Sequence, residues 1–332
     1  MFPAGSGVSA PEYFPFPFWL CDYAPGMTRA FVLGAGLGTR LRPLTNQLPK
    51  PLIPVRHRPL AEYAFLHLHG AGAREFVVNT HHLPEEWTNT FPSGHWRGCP
   101  VRFRHEPVLL ETGGGLANIR DLMGDEPFFV YNGDVLTSLP LAPALAAHKG
   151  SGNLATLVLR SSGGVRNVAM RSDEGRVVDL RGTLGITDVP LFLFTGLYIV
   201  EPALYRYLPE RGVIESVVEA WLRALRAGAR IGGVVVDDGE WFDLGDRASY
   251  LAAHQWAGLA AEPAIHPGAV IQAGALVDAR SYIGPGAIVE SGAVVRGSII
   301  WPGAVVRSGA QLDGCIVLRG HTAEGTQHGT DI

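Results

Sequence analysis

Lysine is almost absent from this chain. Of its 27 basic residues, 25 are Arg and two are Lys, at Lys50 and Lys149. Lys149 lies in a stretch rich in Gly and Ser that is typical of an exposed turn, whereas Lys50 lies between two prolines. Because so few lysines remain, we expect Lys50 to have a specific role. The net charge of −4 and the lack of a basic stripe argue against nucleic acid as a partner.

Cysteines and long apolar runs are also scarce. Cys21, Cys99 and Cys315 are far apart and lack the spacing of a disulfide framework or a metal site, which favours a cytoplasmic protein. No apolar run reaches the roughly 18–20 residues needed to cross a bilayer, so we expect no membrane partner. Residues 1–26 contain an aromatic run at 14–20, but they lack the basic and apolar regions of a signal peptide. We interpret them as a non-catalytic extension.

Residues 27–259 alternate short apolar runs with longer amphipathic stretches. Segments such as 30–33 and 127–131 are predicted strands, and segments 60–69 and 214–227 are predicted helices. This alternation predicts an α/β domain with a mostly parallel sheet and helices on both faces. Ligands of such sheets bind beyond the carboxyl ends of the strands, so the informative loops are those that directly follow a strand.

A second region begins near residue 260, where an apolar residue recurs every six positions. The units read IHPGAV, IQAGAL, VDARSY, IGPGAI and VESGAV, and after a five-residue step they resume as IWPGAV, VRSGAQ and LDGCIV. This period predicts a left-handed parallel β-helix of about three turns over residues 260–320, followed by a C-terminal tail at 321–332. The apolar first residue of each unit should point inward. A Gly-rich linker would not keep its apolar residues in strict phase.

A glycine-rich loop follows the first predicted strand. Its three glycines, within residues 34–38, let the backbone approach a ligand and direct N–H groups at an anion. Thr39 stands where the dinucleotide-binding fingerprint needs its third Gly, and the Gly-Lys-Ser/Thr of a P-loop is missing. Arg40 follows the loop and Lys50 comes ten residues later. Two cations beside an anion-binding loop suit a triphosphate.

Two acidic residues lie in apolar surroundings. Asp134 ends the apolar strand predicted at 128–134, in the sequence Asn-Gly-Asp, and Asp243 lies in the apolar segment 241–244. Mg²⁺ prefers one or two carboxylates together with phosphate oxygens and water, so both acids are candidate ligands that would hold it against a triphosphate. We interpret the nearby acidic turn at residues 237–238 as solvated.

These motifs together resemble a known signature. The ordered sequence Gly-x-Gly-Thr-Arg-Leu-x-Pro-x-Thr, followed by Pro-Lys-Pro-Leu, Asn-Gly-Asp and Trp-x-Asp-x-Gly, is similar to that of the nucleotidyltransferases that make NDP-sugars. The resemblance covers about residues 29–320 and implies a Rossmann-like domain of the GT-A type. It also implies that Arg40 neutralises the β- and γ-phosphates, that Lys50 contacts phosphate at the reacting centre, and that Asp134 and Asp243 bind Mg²⁺. The loop that wraps the nucleotide in this family corresponds to Leu33, Gly34, Ala35, Gly36, Gly38 and Thr39.

Two further segments bear on the base. Segment 111–116 places glycines before a predicted helix and resembles the family loop that packs on base and ribose, here Thr112, Gly113 and Gly114. Glu106 falls where the family carries a Gln or Glu that reads the base, and its carboxylate suits the two N–H donors of guanine. A Gln would suit uracil or thymine better. Segment 111–116 is most similar to N-acetylmuramate 1-phosphate uridylyltransferases, whereas the β-helix resembles GDP-mannose pyrophosphorylases, so the base stays open.

The sugar is open as well. Thr195 and Gly196 resemble the sugar-contacting strand of the family, but residues 165–168 replace the Gly-Val segment that normally precedes it. His81 and His82 follow a predicted strand, and with no third ligand nearby we interpret them as loop residues rather than metal ligands.

The resemblance implies the transfer of a nucleotidyl group. An oxygen of a sugar 1-phosphate attacks the α-phosphorus of an NTP in line, and pyrophosphate leaves. This nucleophile is already anionic at neutral pH, so no general base is needed. We expect a mannose-1-phosphate guanylyltransferase. The alternatives are a uridylyl- or thymidylyltransferase for another sugar 1-phosphate and a non-catalytic homologue that binds NDP-sugar. An acyltransferase site in the β-helix is disfavoured because no loop interrupts the hexapeptides.

The β-helix is predicted to assemble subunits. Ile299 and Trp301 lie near the five-residue step, and we expect them to be exposed apolar residues that pair copies into a homo-oligomer. Under this hypothesis, a chain truncated after about residue 260 would form a smaller oligomer or a monomer and keep detectable transferase activity.

Overall fold

The computed structural model describes residues 27–332, which form two adjoining regions. Cys21 and the rest of the extension at residues 1–26 lie outside the described residues. An α/β region runs from Met27 to the turn at Ala257–Leu259, and a stack of short parallel strands follows it. Among the described residues, no helix is long and apolar enough to cross a membrane.

The α/β region combines one large sheet with two small two-stranded sheets and, within the described residues, seven α-helices. Its strands are β1 (Arg29–Leu33), β2 (Pro54–Val55), β3 (Arg58–Pro59), β4 (Glu75–Thr80), β5 (His95–Trp96), β6 (Cys99–His105), β7 (Phe128–Asn132), β8 (Val135–Thr137), β9 (Ala155–Arg160), β10 (Val168–Arg171), β11 (Arg176–Leu180), β12 (Leu191–Val200), β13 (Ile231–Val235) and β14 (Trp241–Asp243). Its helices are α1 (Leu60–Gly70), α2 (Pro84–Thr90), α3 (Glu111–Asn118), α4 (Arg120–Met123), α5 (Ala142–His148), α6 (Val217–Arg226) and α7 (Arg247–His254). Short 3-10 turns lie at Thr39–Leu41, Leu44–Asn46, Lys50–Leu52 and Pro202–Tyr207.

The large sheet is mixed rather than mostly parallel. Its strand order is β10-β11-β13-β9-β12-β7-β1-β4-β6-β5. The four strands β7, β1, β4 and β6 are parallel to one another. Strand β12 runs antiparallel to both of its neighbours, β7 and β9. The predicted parallel arrangement therefore holds for the part of the sheet formed by β7, β1, β4 and β6. The other half is built largely from antiparallel pairs, such as the β10–β11 hairpin, whose short connection forces the strands to run in opposite directions.

Helices cover both faces of the sheet, as predicted. Ala30 and Val32 of β1 pack in one core with α1, whereas Phe31 between them packs in a second core with α3 and α6. Alternate residues of a strand point to opposite faces, so one strand contributes to both cores. The predicted helix at 60–69 corresponds to α1, and the one at 214–227 is shorter, because Ser216 caps the first turn of α6.

The second region is a three-sided stack of parallel strands, consistent with a β-helix. One face comprises β15, β18, β21 and β24, the next β16, β19, β22 and β25, and the third β17, β20 and β23. These strands are β15 (Val270–Ile271), β16 (Leu276–Val277), β17 (Tyr282–Ile283), β18 (Ile288–Val289), β19 (Val294–Arg296), β20 (Ile299–Ile300), β21 (Val305–Val306), β22 (Gln311–Asp313), β23 (Ile316–Val317), β24 (Thr322–Ala323) and β25 (Thr326–His328).

The apolar first residues of the hexapeptides point inward where a coil has neighbours on both sides. Ile283, Val289 and Val295 are fully buried, whereas Ile265 in the first coil remains half-exposed. The five-residue step shortens a coil without breaking the stack, since Tyr282 pairs with Ile299 in a parallel ladder.

The last twelve residues are a further part of this stack rather than a tail. Thr322 pairs with Val305, and Gln327 pairs with Leu312. The N–H of Leu318 donates to the carbonyl oxygen of Ile332 at 2.7 Å. Backbone pairing of this kind needs no apolar side chain. The stack can therefore continue through residues 321–332 although the hexapeptide pattern ends before them.

Ile299 and Trp301 are not exposed. They are 4% and 1% exposed, and both belong to the core of the α/β region. The indole Nε1 of Trp301 donates to the hydroxyl of Tyr250 at 3.0 Å, and that hydroxyl donates to the carbonyl oxygen of Pro54 at 2.5 Å. These two apolar residues therefore join the two regions of one chain, and the expectation that they are exposed was wrong.

Polar contacts continue the same interface. Arg58 pairs with Glu262 at 2.7 Å, and Arg56 lies over the ring of Tyr282 at 4.1 Å. Arg247, in the first turn of α7, pairs with Asp331 in the last coil at 2.7 Å. The β-helix is thus attached to the α/β region through both its first and its last coils.

Candidate functional site

A cavity of about 460 Å³ lies at the carboxyl ends of β1, β4 and β7. This is the position expected for a ligand of an α/β sheet. The residues around it are Leu33, Ala35, Gly36, Lys50, Pro51, Asn79, Leu109, Glu111, Thr112, Asn132, Asp134, Arg181, Phe194, Tyr198, Ser216, Val217 and Val218.

Two glycines of the loop after β1 differ in what surrounds them. A Cβ on Gly34 would lie 2.7–2.8 Å from atoms of Trp87, Asn79 and Val78, so only glycine fits there. A Cβ on Gly36 would meet no protein atom within 4 Å, because this part of the loop borders the cavity. Gly34 therefore holds the loop against the protein, whereas Gly36 leaves its backbone accessible to a ligand.

The far end of the loop turns towards the second acidic segment. Gly38 adopts a left-handed φ of 61°, and its carbonyl oxygen accepts a hydrogen bond from the hydroxyl of Thr45 at 2.9 Å. Thr39 and Arg40 then form the first 3-10 turn. The guanidinium of Arg40 lies against Gly245, where an added Cβ would be 2.8 Å from Nη2. Arg40 thus lies beside the segment that carries Asp243, while Gly38, Thr39 and Arg40 are not among the cavity-lining residues.

Lys50 lies between the two predicted metal-binding acids. Its Nζ is 2.7 Å from Oδ2 of Asp134 and 3.6 Å from Oδ1 of Asp243. The lysine is 7% exposed, whereas the two carboxylates remain partly open. Pairing of β8 with β14 brings the acids together, since Asp243 is opposite Val135 and the N–H of Leu244 donates to the carbonyl oxygen of Asp134.

Burial and neighbouring charges in this cluster shift the pKa of Asp243. Burial raises the pKa of the Asp243 carboxyl, and the negative charge of Asp134 adds to that effect. Lys50 and Arg40 oppose the shift. A cation bound beside Asp243 would stabilise the ionised form of its carboxylate. Within residues 27–332, no group of three or more His, Cys, Asp or Glu side chains is arranged to hold a metal ion. Two carboxylates completed by phosphate oxygens and water still suit Mg²⁺.

Glu106 does not face the cavity. It is fully buried, and both of its carboxylate oxygens have internal partners. Oε1 accepts from Nδ2 of Asn79 at 2.8 Å, and Oε2 accepts from the N–H of Leu110 at 3.1 Å. Burial raises the pKa of this carboxyl, and the two hydrogen bonds oppose the rise. The geometry therefore contradicts the expectation that Glu106 presents its carboxylate to a base.

The glycines of segment 111–116 lie inside helix α3 rather than before it. Gly113 and Gly114 both donate their N–H to the carbonyl oxygen of Glu215. A Cβ on Gly114 would overlap the carbonyl oxygen of Val213. These glycines are therefore needed for close packing of α3 on the segment before α6. Thr112 lines the cavity, and its hydroxyl accepts from the N–H of Val217 at 2.9 Å.

The predicted sugar residues, Thr195 and Gly196, are not among the residues that line the cavity. Thr195 is fully buried, and its hydroxyl donates to the carbonyl oxygen of Val158 at 2.8 Å. Gly196 has a φ of 84°, and a Cβ there would be 2.7 Å from Nδ2 of Asn132. Thr195 and Gly196 thus shape an irregular part of β12, while Asn132, at the end of β7, borders the cavity itself.

Sequence reasoning missed several residues that line the cavity. Asn79 is the last residue but one of β4 and Asn132 is the last residue of β7, so the rule that ligands bind at carboxyl ends of strands could have identified them. Arg181 follows β11 with a left-handed φ of 57°, and no sequence motif marks it. The two histidines after β4 are loop residues, as expected. His81 bonds the carbonyl oxygen of Glu106 and His82 that of Thr45, each at 2.7 Å.

The geometry is that of an α/β protein with a glycine-rich loop beside a cluster of one lysine and two acids. A family model described as Nucleotidyl transferase matches residues 29–257. The chain belongs to this family.

Relatives with assigned names include transferases for different bases. A UTP–glucose-1-phosphate uridylyltransferase from Synechocystis is 28% identical over 68% of this chain and 62% of its own length. A mannose-1-phosphate guanylyltransferase from Mycobacterium tuberculosis is 29% identical over 82% of this chain and 79% of its own length. An N-acetylmuramate α-1-phosphate uridylyltransferase from Neisseria meningitidis is 39% identical over 35% of this chain and 51% of its own length. The chain thus matches less than two thirds of the cyanobacterial relative's length.

Solved structures support the fold. A putative glucose-1-phosphate thymidylyltransferase from Bacillus anthracis superposes with a TM-score of 0.60 at 19% identity, covering 70% of this chain and 95% of that one. The similarity establishes a shared Rossmann-like nucleotidyltransferase architecture.

Proposed function

We propose that this protein is a sugar-1-phosphate nucleotidyltransferase that converts an NTP and a sugar 1-phosphate to an NDP-sugar and pyrophosphate. The observation that carries the proposal is the cluster of Lys50, Asp134 and Asp243 beside the glycine loop, at the edge of a cavity large enough for a nucleotide. Membership of the nucleotidyl transferase family supports the same reaction.

The chain's own residues would act by positioning and by neutralising charge. Backbone N–H groups of the glycine loop would bind phosphate oxygens, with Gly36 offering the open approach. Lys50 and Arg40 would stabilise negative charge on the phosphates as the α-phosphorus is attacked and pyrophosphate leaves. The attacking phosphate oxygen is anionic at neutral pH, so no side chain has to remove a proton.

Mg²⁺ is the proposed cofactor, with Asp134 and Asp243 as its ligands. Their partly open carboxylates and mutual repulsion fit a divalent cation. When bound, Mg²⁺ would neutralise phosphate charge and orient the triphosphate.

For the base and sugar we propose GTP and mannose 1-phosphate. Glu106 gives this choice no support, because its carboxylate is occupied by Asn79 and Leu110. The support comes from the mycobacterial guanylyltransferase, whose similarity covers 82% of the chain and so exceeds the part matched by the family model. The two uridylyltransferase relatives keep UTP as the alternative.

A panel of four NTPs against several sugar 1-phosphates, followed by pyrophosphate release with and without Mg²⁺, tests the proposal. We expect turnover that requires Mg²⁺, with the highest kcat/KM for GTP and mannose 1-phosphate. Turnover with UTP alone would refute the assignment of the base. No pyrophosphate from any pair would favour a non-catalytic homologue that binds NDP-sugar.

Three earlier predictions remain part of this proposal. They are the left-handed winding of the β-helix, the cytoplasmic location and a homo-oligomer. Because Ile299 and Trp301 are covered by the chain itself, an oligomer through the β-helix would need other apolar side chains, such as Val270 and Leu276, which are 50% and 62% exposed. Light scattering on the full chain tests whether it forms an oligomer.

A further inference from the structure

Two loops that border the cavity are connected through a buried pair of side chains, Asn79 and Glu106. The first loop contains Gly34, whose N–H donates to Oδ1 of Asn79 at 2.8 Å. The second loop leads into α3 and contains Leu110, whose N–H donates to Oε2 of Glu106 at 3.1 Å. Between them, Nδ2 of Asn79 donates to Oε1 of Glu106 at 2.8 Å.

Only one assignment of donors and acceptors is possible along these three hydrogen bonds. Both ends are backbone N–H groups, which can only donate, so each end needs an acceptor. The amide of Asn79 supplies one acceptor and one donor, and the carboxylate of Glu106 supplies two acceptors. Every donor in the chain of hydrogen bonds therefore has an acceptor. The orientation of the Asn79 amide follows from its neighbours for the same reason.

The surroundings keep the pair dry and fixed. Asn79 is 2% exposed and Glu106 is fully buried. A Cβ on Gly115 would lie 3.0 Å from Nδ2 of Asn79 and 3.2 Å from Oε1 of Glu106, so α3 passes close beside both side chains. The backbone of Glu106 is also held, since its N–H donates to the carbonyl oxygen of Thr80 at 2.7 Å. Buried hydrogen bonds to a charged group are strong and costly to leave unmade.

We propose that Glu106 is a positioning residue that acts through Asn79. It fixes the glycine loop relative to the loop before α3, and so places the triphosphate relative to the base, without contacting the base itself. This inference rests on the proposed function for its nucleotide, but it predicts no particular base.

The proposal is tested by exchanging the amide of Asn79 and the carboxylate of Glu106, first singly and then together. In Glu106→Gln, one of the two donors that face the carboxylate meets an NH₂ group, and in Asn79→Asp two carboxylates face each other. Each single variant should lower kcat/KM about 10-fold to 100-fold for every accepted NTP alike, the range expected for a lost charged hydrogen bond. In the double variant, the new carboxylate at position 79 would accept from the N–H of Gly34 and from the new amide at position 106. That amide would in turn accept from the N–H of Leu110. We therefore expect recovery to within about threefold of the wild type, since every donor regains an acceptor.

Controls separate this role from its rivals. Glu85→Gln, at an exposed position in α2, makes the same chemical change away from the cavity and should leave kcat/KM unchanged. A changed ratio of GTP to UTP in Glu106→Gln would overturn the proposal in favour of base reading, as would a double variant no better than the weaker single one. Urea denaturation of the same proteins is the second readout. Lost stability with unchanged kcat/KM would mean a purely structural role and would also overturn it.

The proposed function can fail without affecting this test. If the wild type released no pyrophosphate, equilibrium dialysis with GTP and UTP would replace turnover. The pattern of two weakened single variants and one restored double variant would then be sought in nucleotide affinity. Equal affinity in all four proteins would overturn the positioning role.

Discussion

The α/β region and the β-helix differ in where they place residues with a left-handed backbone. Among the described residues, six non-glycine residues have a clearly positive φ, and all of them precede residue 260. In the β-helix every residue with a positive φ is a glycine at a corner between strands. Two of the six, Glu111 and Arg181, line the cavity. The repetitive region thus avoids strain, whereas the region with the candidate site retains it where a ligand would bind.

The two regions also contribute different interactions, so they should respond differently to substitution. The charged side chains of the candidate site, Lys50, Asp134 and Asp243, all belong to the α/β region. Side chains of the β-helix at the interface, by contrast, supply apolar contact that the α/β region needs. Variants in the first group should reduce turnover, and those in the second should reduce stability.

The largest effect on turnover is expected for Lys50→Ala. This change removes the cation between Asp134 and Asp243 and leaves their charges opposed. We expect kcat/KM to fall about 10³-fold with little loss of secondary structure, because a preorganised charge at the reacting centre is lost. Pyrophosphate release measures it. Lys149→Ala, the other lysine in the chain and an exposed one, is the matched control and should behave as the wild type. A decrease of less than about tenfold would place Lys50 outside the reacting centre.

On the side of the β-helix, Trp301→Ala should show the largest loss of stability. Removal of this fully buried indole leaves a cavity and takes away the donor to the Tyr250 hydroxyl, so the free energy of unfolding should fall by about 3 kcal/mol. Urea denaturation measures it. Val270→Ala, at a half-exposed position, should cost less than about 0.5 kcal/mol. Unchanged stability together with a smaller particle in light scattering would restore the idea that Trp301 pairs separate copies.

Asp243→Asn should reduce turnover by about 10²-fold and raise the Mg²⁺ concentration needed for half-maximal rate. Because burial and Asp134 raise the pKa of Asp243, the wild type should begin to lose activity on the acid side at a higher pH than an ordinary Asp would impose. That acid limb should be missing from the residual activity of the variant. Asp237→Asn is the control, since Asp237 bonds Ser161 in an exposed turn. A variant with wild-type rate and Mg²⁺ dependence would show that Asp243 is no ligand.

The smallest expected difference separates two neighbouring arginines. Arg40 lies beside Gly245 and its charge acts on Asp243, whereas Arg42 is exposed two residues further along the chain. Arg40→Ala should therefore lose about tenfold more kcat/KM than Arg42→Ala, since the charge of Arg40 acts on the segment that carries Asp243. Steady-state kinetics with the preferred NTP measures both. Equal losses would mean that the loop merely needs positive charge.

Sequence patterns predicted the parts of the molecule in which local residues determine local structure. The hexapeptides predicted a stack of parallel coils because each residue meets the same environment in every coil. The approach of Lys50 to Asp134 and Asp243 was anticipated only through a family resemblance, since 84 residues separate Lys50 from Asp134 along the chain. No local pattern brings such residues together.

The errors have a common physical origin in burial by distant parts of the chain. The carboxylate of Glu106 has the chemistry of a base-reading residue, but both of its oxygens already accept hydrogen bonds from Asn79 and Leu110. Trp301 was expected to be exposed because a hexapeptide shows which side of a coil faces outward and not what covers that side. The glycines of α3 suggested a loop, although the backbone of segment 213–216 requires them inside a helix.

The hydrogen-bonded path from Trp301 through Tyr250 to Pro54 has a consequence for protein engineering. Pro54 follows the turn that carries Lys50, and Tyr250 lies in the helix that follows Asp243. A β-helix transplanted from another protein at residue 260 would therefore have to supply an indole, or an equally placed donor, directly after the strand that corresponds to β20. A chimera without one would leave the hydroxyl of Tyr250 without this donor, in the helix that follows Asp243. Recombination between such proteins should succeed only when these positions are exchanged together.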